Sequence, residues 1–206
     1  IRKVSAGLAE YIKSQGEKAM QSGVVISFDS SHFSNEFARE AAGVLNAYGV
    51  KVYLSDALRP VPVLSFAVRH YKSFAGIMIT ASHNPPQYNG FKVYGDDGAQ
   101  LTPEAASLIL ECRNSLKDIR SIVPMTDSEA INKGLLRIIG EDLDQAYTQM
   151  LSTLVIDQDA IDRNNDIPIV FTPLHGSANR PIQRILSYVG FSNVSVVSEQ
   201  EEPDGR

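Results

Sequence analysis

Gly76-Ile77-Met78-Ile79-Thr80-Ala81-Ser82-His83-Asn84-Pro85-Pro86-Gln87-Tyr88-Asn89-Gly90-Phe91-Lys92-Val93-Tyr94-Gly95-Asp96-Asp97-Gly98 decides how the rest of the chain reads. It opens as a short apolar run, a buried strand over Gly76 to Thr80, and breaks at Ala81-Ser82-His83-Asn84. Pro85 and Pro86 then stop any helix, since a proline lacks a backbone donor and pushes the preceding residue into extended conformations. Asn89-Gly90 turns the chain, and Phe91 to Tyr94 reads as a second short strand that closes on Gly95-Asp96-Asp97-Gly98. A hydroxyl (Ser82), an imidazole (His83) and an amide (Asn84) therefore sit on a stiff loop at a strand's end. Lys92 follows ten residues on. Loops held by rigid elements are where chemistry concentrates.

Upstream, Arg2 to Gln21 predicts an amphipathic helix with Val4, Leu8, Tyr11, Ile12 and Ala19 inward. Gly23 to Phe28 is a buried strand ending on Asp29-Ser30-Ser31-His32. Ser34 reads as the cap of a helix carrying Phe37, Ala41, Val44, Leu45 and Tyr48. Val50 to Leu54 is a second strand, and Pro60 and Pro62 lead into a helix with Leu64, Ala67, Val68 and Tyr71. Right-handed crossovers make these three strands parallel, with the Phe91 strand antiparallel at an edge. Ligands bind off the carboxyl ends of such strands, where Asp29, Asp56 and Ser82 all fall. The four aspartates Asp29, Asp56, Asp96 and Asp97 are read as structural caps and turn residues.

Downstream, Thr102-Pro103-Glu104 starts a helix that runs to about Asp118. Ile119 to Gly134, with Pro124 in its middle, reads as a linker. A new helix follows Gly140, then a strand over Asp166 to Thr172, a helix over Ala178 to Val189 and a strand over Val194 to Val197. The expected organisation is one α/β domain over residues 1–139 and the first part of a second over residues 140–206.

The chain has 206 residues, 43% hydrophobic and 21% charged, with a net charge of −5. Without a Lys/Arg cluster, nucleic acid is excluded as the main partner. No apolar run approaches the ~18 residues of a membrane span, and nothing at the start resembles a signal peptide, so no membrane association is expected. The single cysteine, Cys112, excludes a disulfide framework, fits a reducing cytoplasm, and reads as a small core residue. The start at Ile1 and the end at Arg206 suggest a piece of something longer.

Thr80 to Pro86, followed by Tyr88-Asn89-Gly90-Phe91-Lys92, resembles the phosphoserine loop of the α-D-phosphohexomutases, the phosphoglucomutase/phosphomannomutase superfamily. Asp56 to Pro60, Ser65 to Arg69 and Gly95 to Leu101 are most similar to its bacterial phosphoglucomutase and phosphopentomutase branch. The resemblance implies a mixed, mostly parallel sheet flanked by helices, followed by the start of a second similar domain. It implies that Ser82 carries a phosphoryl group and that His83 lies beside it. Lys92 would move a proton or stabilise charge, and Asn84 and Arg59 would bind phosphate. It further implies a cytoplasmic isomerase interconverting hexose 1-phosphate and hexose 6-phosphate through glucose 1,6-bisphosphate. Mg²⁺ would touch a phosphate oxygen on Ser82, its aspartate ligands lying beyond Arg206. The partners implied are a sugar phosphate and further domains of the same chain, so residues 1–206 alone are expected to be inactive.

Several features depart from the family pattern. Ser31 stands where many members have arginine, and the three alternating aspartates of the metal loop do not occur. Thr172-Pro173-Leu174-His175-Gly176-Ser177 resembles a loop of the second domain, with Gly176 read as an ordinary strand–helix turn. A phosphopentomutase, a phosphomannomutase and a non-catalytic sugar-phosphate-binding homologue are the alternative readings.

Overall fold

The computed structural model, which describes residues 1–85 and 87–205, builds β1 from Val24–Phe28, every residue of it buried. Pro86 and Arg206, both part of motifs read above, lie outside the described residues. The chain divides into two units, Ile1–Ile139 and Gly140–Arg206.

In the first unit, β2 (Val52–Ser55) and β3 (Ala75–Thr80) are buried along their whole length, as strands covered on both faces must be. They flank β1 in parallel, with Phe28 opposite Ile79 and Ile26 opposite Leu54. β4 (Gly90–Tyr94) runs antiparallel to β3, pairing Thr80 with Gly90 and Met78 with Lys92. A fifth strand, β5 (Leu136–Ile139), joins β2 in parallel, giving the order β4-β3-β1-β2-β5. Alternation along the strands sends Val24, Ile26, Ile77 and Ile79 to one face. There they join Leu8 and Ile12 of α1 (Arg2–Ser14) and Ala41 and Leu45 of α3 (Ser34–Ala47) in one core. Val63, Leu64 and Val68 of α4 (Val61–His70) are also fully buried, and α4 packs on β1 and β3. The buried hydroxyls of Ser27 and Ser55 satisfy each other across β1 and β2 at 2.8 Å.

The expected mixed, mostly parallel sheet flanked by helices is the observed architecture. Four local expectations change. The first helix is two, α1 and α2 (Glu17–Ser22), because Gly16 takes φ 92 between them. Ser34 is not a cap: Phe33 holds that position at φ 61, and the Ser34 hydroxyl donates to Asp29 Oδ1 at 2.9 Å. The helix after Thr102 is α5 (Pro103–Ser115), which ends three residues short of Asp118. Its cap is as read, Thr102 Oγ1 accepting from Ala105, and hydrogen bonds from the Glu104 N–H and from Thr102 hold the Glu104 carboxyl below its usual range. Cys112 is only half-buried on α5, so it is not a core residue.

The largest correction concerns residues 119–134, which are packed structure. Their short helix α6 (Asp127–Asn132) leads directly into β5. Met125 N–H donates to Gly43 O at 2.9 Å, Asn46 Nδ2 donates to Leu135 O at 2.9 Å, and Arg39 pairs with Asp127 at 2.5 Å. A Cβ at Gly43 would stand 2.7 Å from Met125 O, closer than atoms can approach. Gly43→Ala is therefore expected to lower stability by about 2 kcal/mol through overpacking, read as a shifted urea midpoint with the slope unchanged. An unchanged midpoint would mean that the segment is not held against α3.

The second unit contains α7 (Glu141–Ser152), α8 (Gln158–Arg163), β6 (Ile169–Phe171), α9 (Asn179–Val189) and β7 (Val194–Val196). β6 and β7 are parallel with α9 between them, and α7 packs on α9, where Arg184 makes a two-pronged ion pair with Glu141. Leu174 and His175 both hold positive φ, and the backbone N–H of His175 donates to Gln200 O at 2.8 Å. The Gly176 N–H is spent on Pro173 O at 2.9 Å inside the turn, which leaves it no role toward an anion. Among the described residues, no helix is long and apolar enough to cross a membrane.

Candidate active site

The parallel register of β1 and β3 brings Asp29, just past Phe28, alongside Thr80 at the end of β3. The Asp29 carboxylate gathers this corner. Its Oδ2 accepts from Thr80 Oγ1 at 2.5 Å, and its Oδ1 accepts from the Ser31 N–H and the Ser34 hydroxyl, each at 2.9 Å. Thr80 and Ser34 are 6% and 1% exposed, so these hydroxyls have little access to water and need the carboxylate.

Ser82 sits one residue beyond this corner with φ 59, and its side chain is exposed. Its N–H donates to Thr80 Oγ1 at 2.8 Å, and the Asn84 N–H donates back to Ala81 O at 3.0 Å, closing a four-residue turn. Positive φ at the second position of such a turn ordinarily calls for glycine. A residue with a Cβ is held there at a cost of about 1–3 kcal/mol, the kind of outlier that collects at functional sites. His83 and Asn84 are exposed beside it. The Ala81 N–H donates to Ser31 Oγ at 3.1 Å, which ties this loop to the one after β1. Further along, Asn89 Nδ2 donates to His32 O at 2.9 Å and to Ser34 Oγ at 2.7 Å, clamping the far end of the loop to the same neighbour.

Lys92 is half-buried on β4, opposite Met78 and two rungs into the ladder from the Thr80–Gly90 pair. Ser82, His83 and Asn84 are thus brought together on one turn, while Lys92 is set back along the sheet. Arg59 is 5% exposed. Its Nη1 donates to Asp56 Oδ1 at 2.8 Å and to Ala57 O at 3.0 Å, and its N–H donates to Phe28 O at 2.9 Å. Those bonds hold the loop after β2 against the end of β1. From sequence Asp29 reads as structural, and Thr80 and Asn89 read only as parts of the strand end and the turn; the one local signal is an aspartate directly after a buried, mostly apolar strand.

The chain matches the model of the phosphoglucomutase/phosphomannomutase α/β/α domain I over residues 1–120. It belongs to the phosphoglucomutase/phosphomannomutase family. Among curated members, the phosphoglucomutase of Staphylococcus saprophyticus is 37% identical over 205 residues, covering 100% of this chain and 36% of its own length. That of one Staphylococcus epidermidis strain is 38% identical, over 99% of this chain and 36% of its own length. The chain therefore spans about a third of the curated family members that it matches. Among solved structures, a Thermus thermophilus protein with the provisional description phosphomannomutase superposes with a TM-score of 0.75 at 27% identity. That superposition covers 99% of this chain and 42% of the other.

Among the described residues, no group of three or more His, Cys, Asp or Glu is arranged to hold a metal ion.

Proposed function

We propose that the protein is a phosphoglucomutase-type phosphotransferase in which Ser82 stores a phosphoryl group and exchanges it with a hexose phosphate. The observation that carries this reading is the exposed Ser82, held at positive φ by backbone and Thr80 contacts, inside a Thr-Ala-Ser-His-Asn-Pro-Pro loop of a family member. In the transfer, the bond between phosphorus and Ser82 Oγ breaks as a bond from phosphorus to a sugar hydroxyl oxygen forms. The net proton movement is from that hydroxyl to Ser82 Oγ, and Lys92 is the amine assigned to pass it. His83 and Asn84 orient the phosphoryl oxygens. A serine ester is inert until an acceptor hydroxyl lies in line with it, so most of the rate comes from positioning and charge stabilisation. Arg59, with Nη1 spent on Asp56, serves the phosphate site chiefly by holding the loop after β2.

The names of the curated family members favour glucose phosphates, and the Thermus thermophilus structure favours mannose phosphate as a second reading. The test is incubation of the full-length protein with Mg²⁺ and glucose 1,6-bisphosphate labelled in phosphorus. Label is expected on the peptide containing Ser82, and glucose phosphate is expected to be turned over faster than mannose or ribose phosphate. Residues 1–206 by themselves are expected to give no turnover. Absence of label on Ser82 would remove the mutase reading, and a ribose preference would replace it with a phosphopentomutase.

A further inference from the structure

Ser82 holds a backbone conformation that a side chain with a Cβ keeps only where its surroundings over-determine it. Those surroundings lead back to one carboxylate by two routes. The Ser82 N–H donates to Thr80 Oγ1 at 2.8 Å, and that hydroxyl gives its own proton to Asp29 Oδ2 at 2.5 Å. A hydroxyl has one proton and two lone pairs. With the proton committed to Asp29, a lone pair is what Thr80 must turn toward Ser82. The Ala81 N–H donates to Ser31 Oγ at 3.1 Å, and the Ser31 N–H donates to Asp29 Oδ1 at 2.9 Å. The two amides leading into the Ser82 Cα are therefore each fixed through one hydroxyl-bearing residue that is itself anchored on Asp29. A helix cap would need only one of these bonds.

We infer that Asp29, acting through Thr80 and Ser31, is a positioning residue that aims the Ser82 Oγ for phosphoryl transfer, an inference that rests on the phosphoserine reading above. Asp29 touches no reacting atom. Its role is to fix the direction of the Cα–Cβ bond at residue 82, and a loss of aim slows transfer without weakening the hold on the sugar. Ser31, accepting from the Ala81 N–H and donating its own N–H to Asp29, acts here as a hydroxyl-bearing link in that scaffold.

The test compares Thr80→Val, Thr80→Ser and Asp29→Asn in the full-length protein with Mg²⁺. Valine keeps the shape of threonine on a buried strand while removing the relay. Serine restores the relay, and asparagine turns one oxygen of the carboxylate hub into a donor. Thr80→Val and Asp29→Asn are expected to slow single-turnover transfer of label from glucose 1,6-bisphosphate to Ser82 by about 10- to 100-fold, with KM for the sugar phosphate within about 3-fold. Thr80→Ser should return the rate to within about 3-fold of the parent. In Thr80→Val, the Ser82 amide should exchange with solvent about 10-fold faster while β3 amides stay protected. A Thr80→Val protein that keeps both rate and Ser82 protection overturns the inference, as does a Thr80→Ser protein that fails to recover. A labelled parent with unaffected variants sinks the inference alone. A parent that takes no label on Ser82 sinks the mutase reading, and the inference falls with it.

Discussion

Ser82→Ala in the full-length protein is expected to lower kcat for glucose phosphate interconversion by about 10⁴-fold or more while leaving the fold intact. The size follows from the chemistry. On the proposed mechanism the substrate's own phosphate leaves for a carrier and another arrives from one, and the neighbouring Ser31 hydroxyl is held by the Ala81 N–H at 3.1 Å rather than presented on the exposed turn. His83 and Asn84 present nitrogen and amide groups at different reach, and the strained turn aims only position 82 in this way. The intact fold follows from the hydrogen bonds. The bond that fixes residue 82 to Thr80 comes from its backbone N–H, and the side chain is exposed. A surface truncation of this kind changes stability by about 0.5 kcal/mol or less. Equal urea midpoints with activity lost would support the proposal. A folded variant with full activity would end it.

Asp29→Ala is the second large effect, and it is one of stability. The substitution removes a carboxylate that accepts from the hydroxyls of Thr80 and Ser34 and from the Ser31 N–H. Two of those donors are nearly sealed from water. An unsatisfied buried donor costs about 1–3 kcal/mol, and bonds to a charged acceptor lie toward the upper end. Ser34 keeps its contact with Asn89 Nδ2, but that contact uses the hydroxyl as acceptor and leaves its proton unplaced. A net loss of about 3 kcal/mol is expected, visible as a lower midpoint in urea. Proteolysis is expected to cut first between Thr80 and Gly90, because the loop loses its anchor before the strands do. A midpoint within about 0.5 kcal/mol of the parent would mean that water replaces the carboxylate freely.

The parts of this fold that show in the sequence are those in which burial is continuous. β1, β2 and β3 are short apolar runs bounded by turn residues, and burial on both faces leaves no other pattern open to them. β4 shows through the Asn-Gly turn before it. β5 is harder to read, because Arg137 interrupts the short run from Leu135 to Ile139 and two of the strand's four residues, Arg137 and Ile138, are turned to solvent. The six residues of α6 are likewise too few to show a helical period. The site divides in the same way. Ser82, His83 and Asn84 stand in one contiguous loop whose pattern is specific. The Asp29–Thr80 contact joins residues 51 positions apart and exists only because β1 and β3 are neighbours in register. No local spacing encodes it.

The two rims of the sheet are finished differently. Beyond β4, the chain folds back so that the Leu101 N–H donates to Val93 O at 2.9 Å and Gln100 bridges Tyr94, covering much of that border. Within the first unit β5 is the outer strand of the other rim; it is brief and carries Arg137 over the Tyr71 ring. A bare border invites a second molecule to add its own strand, and brevity and a fixed cation are the two deterrents that natural sheets use against it. Replacing Arg137 by valine would remove one deterrent and lengthen the apolar margin, turning a quiet rim into a template for clumping.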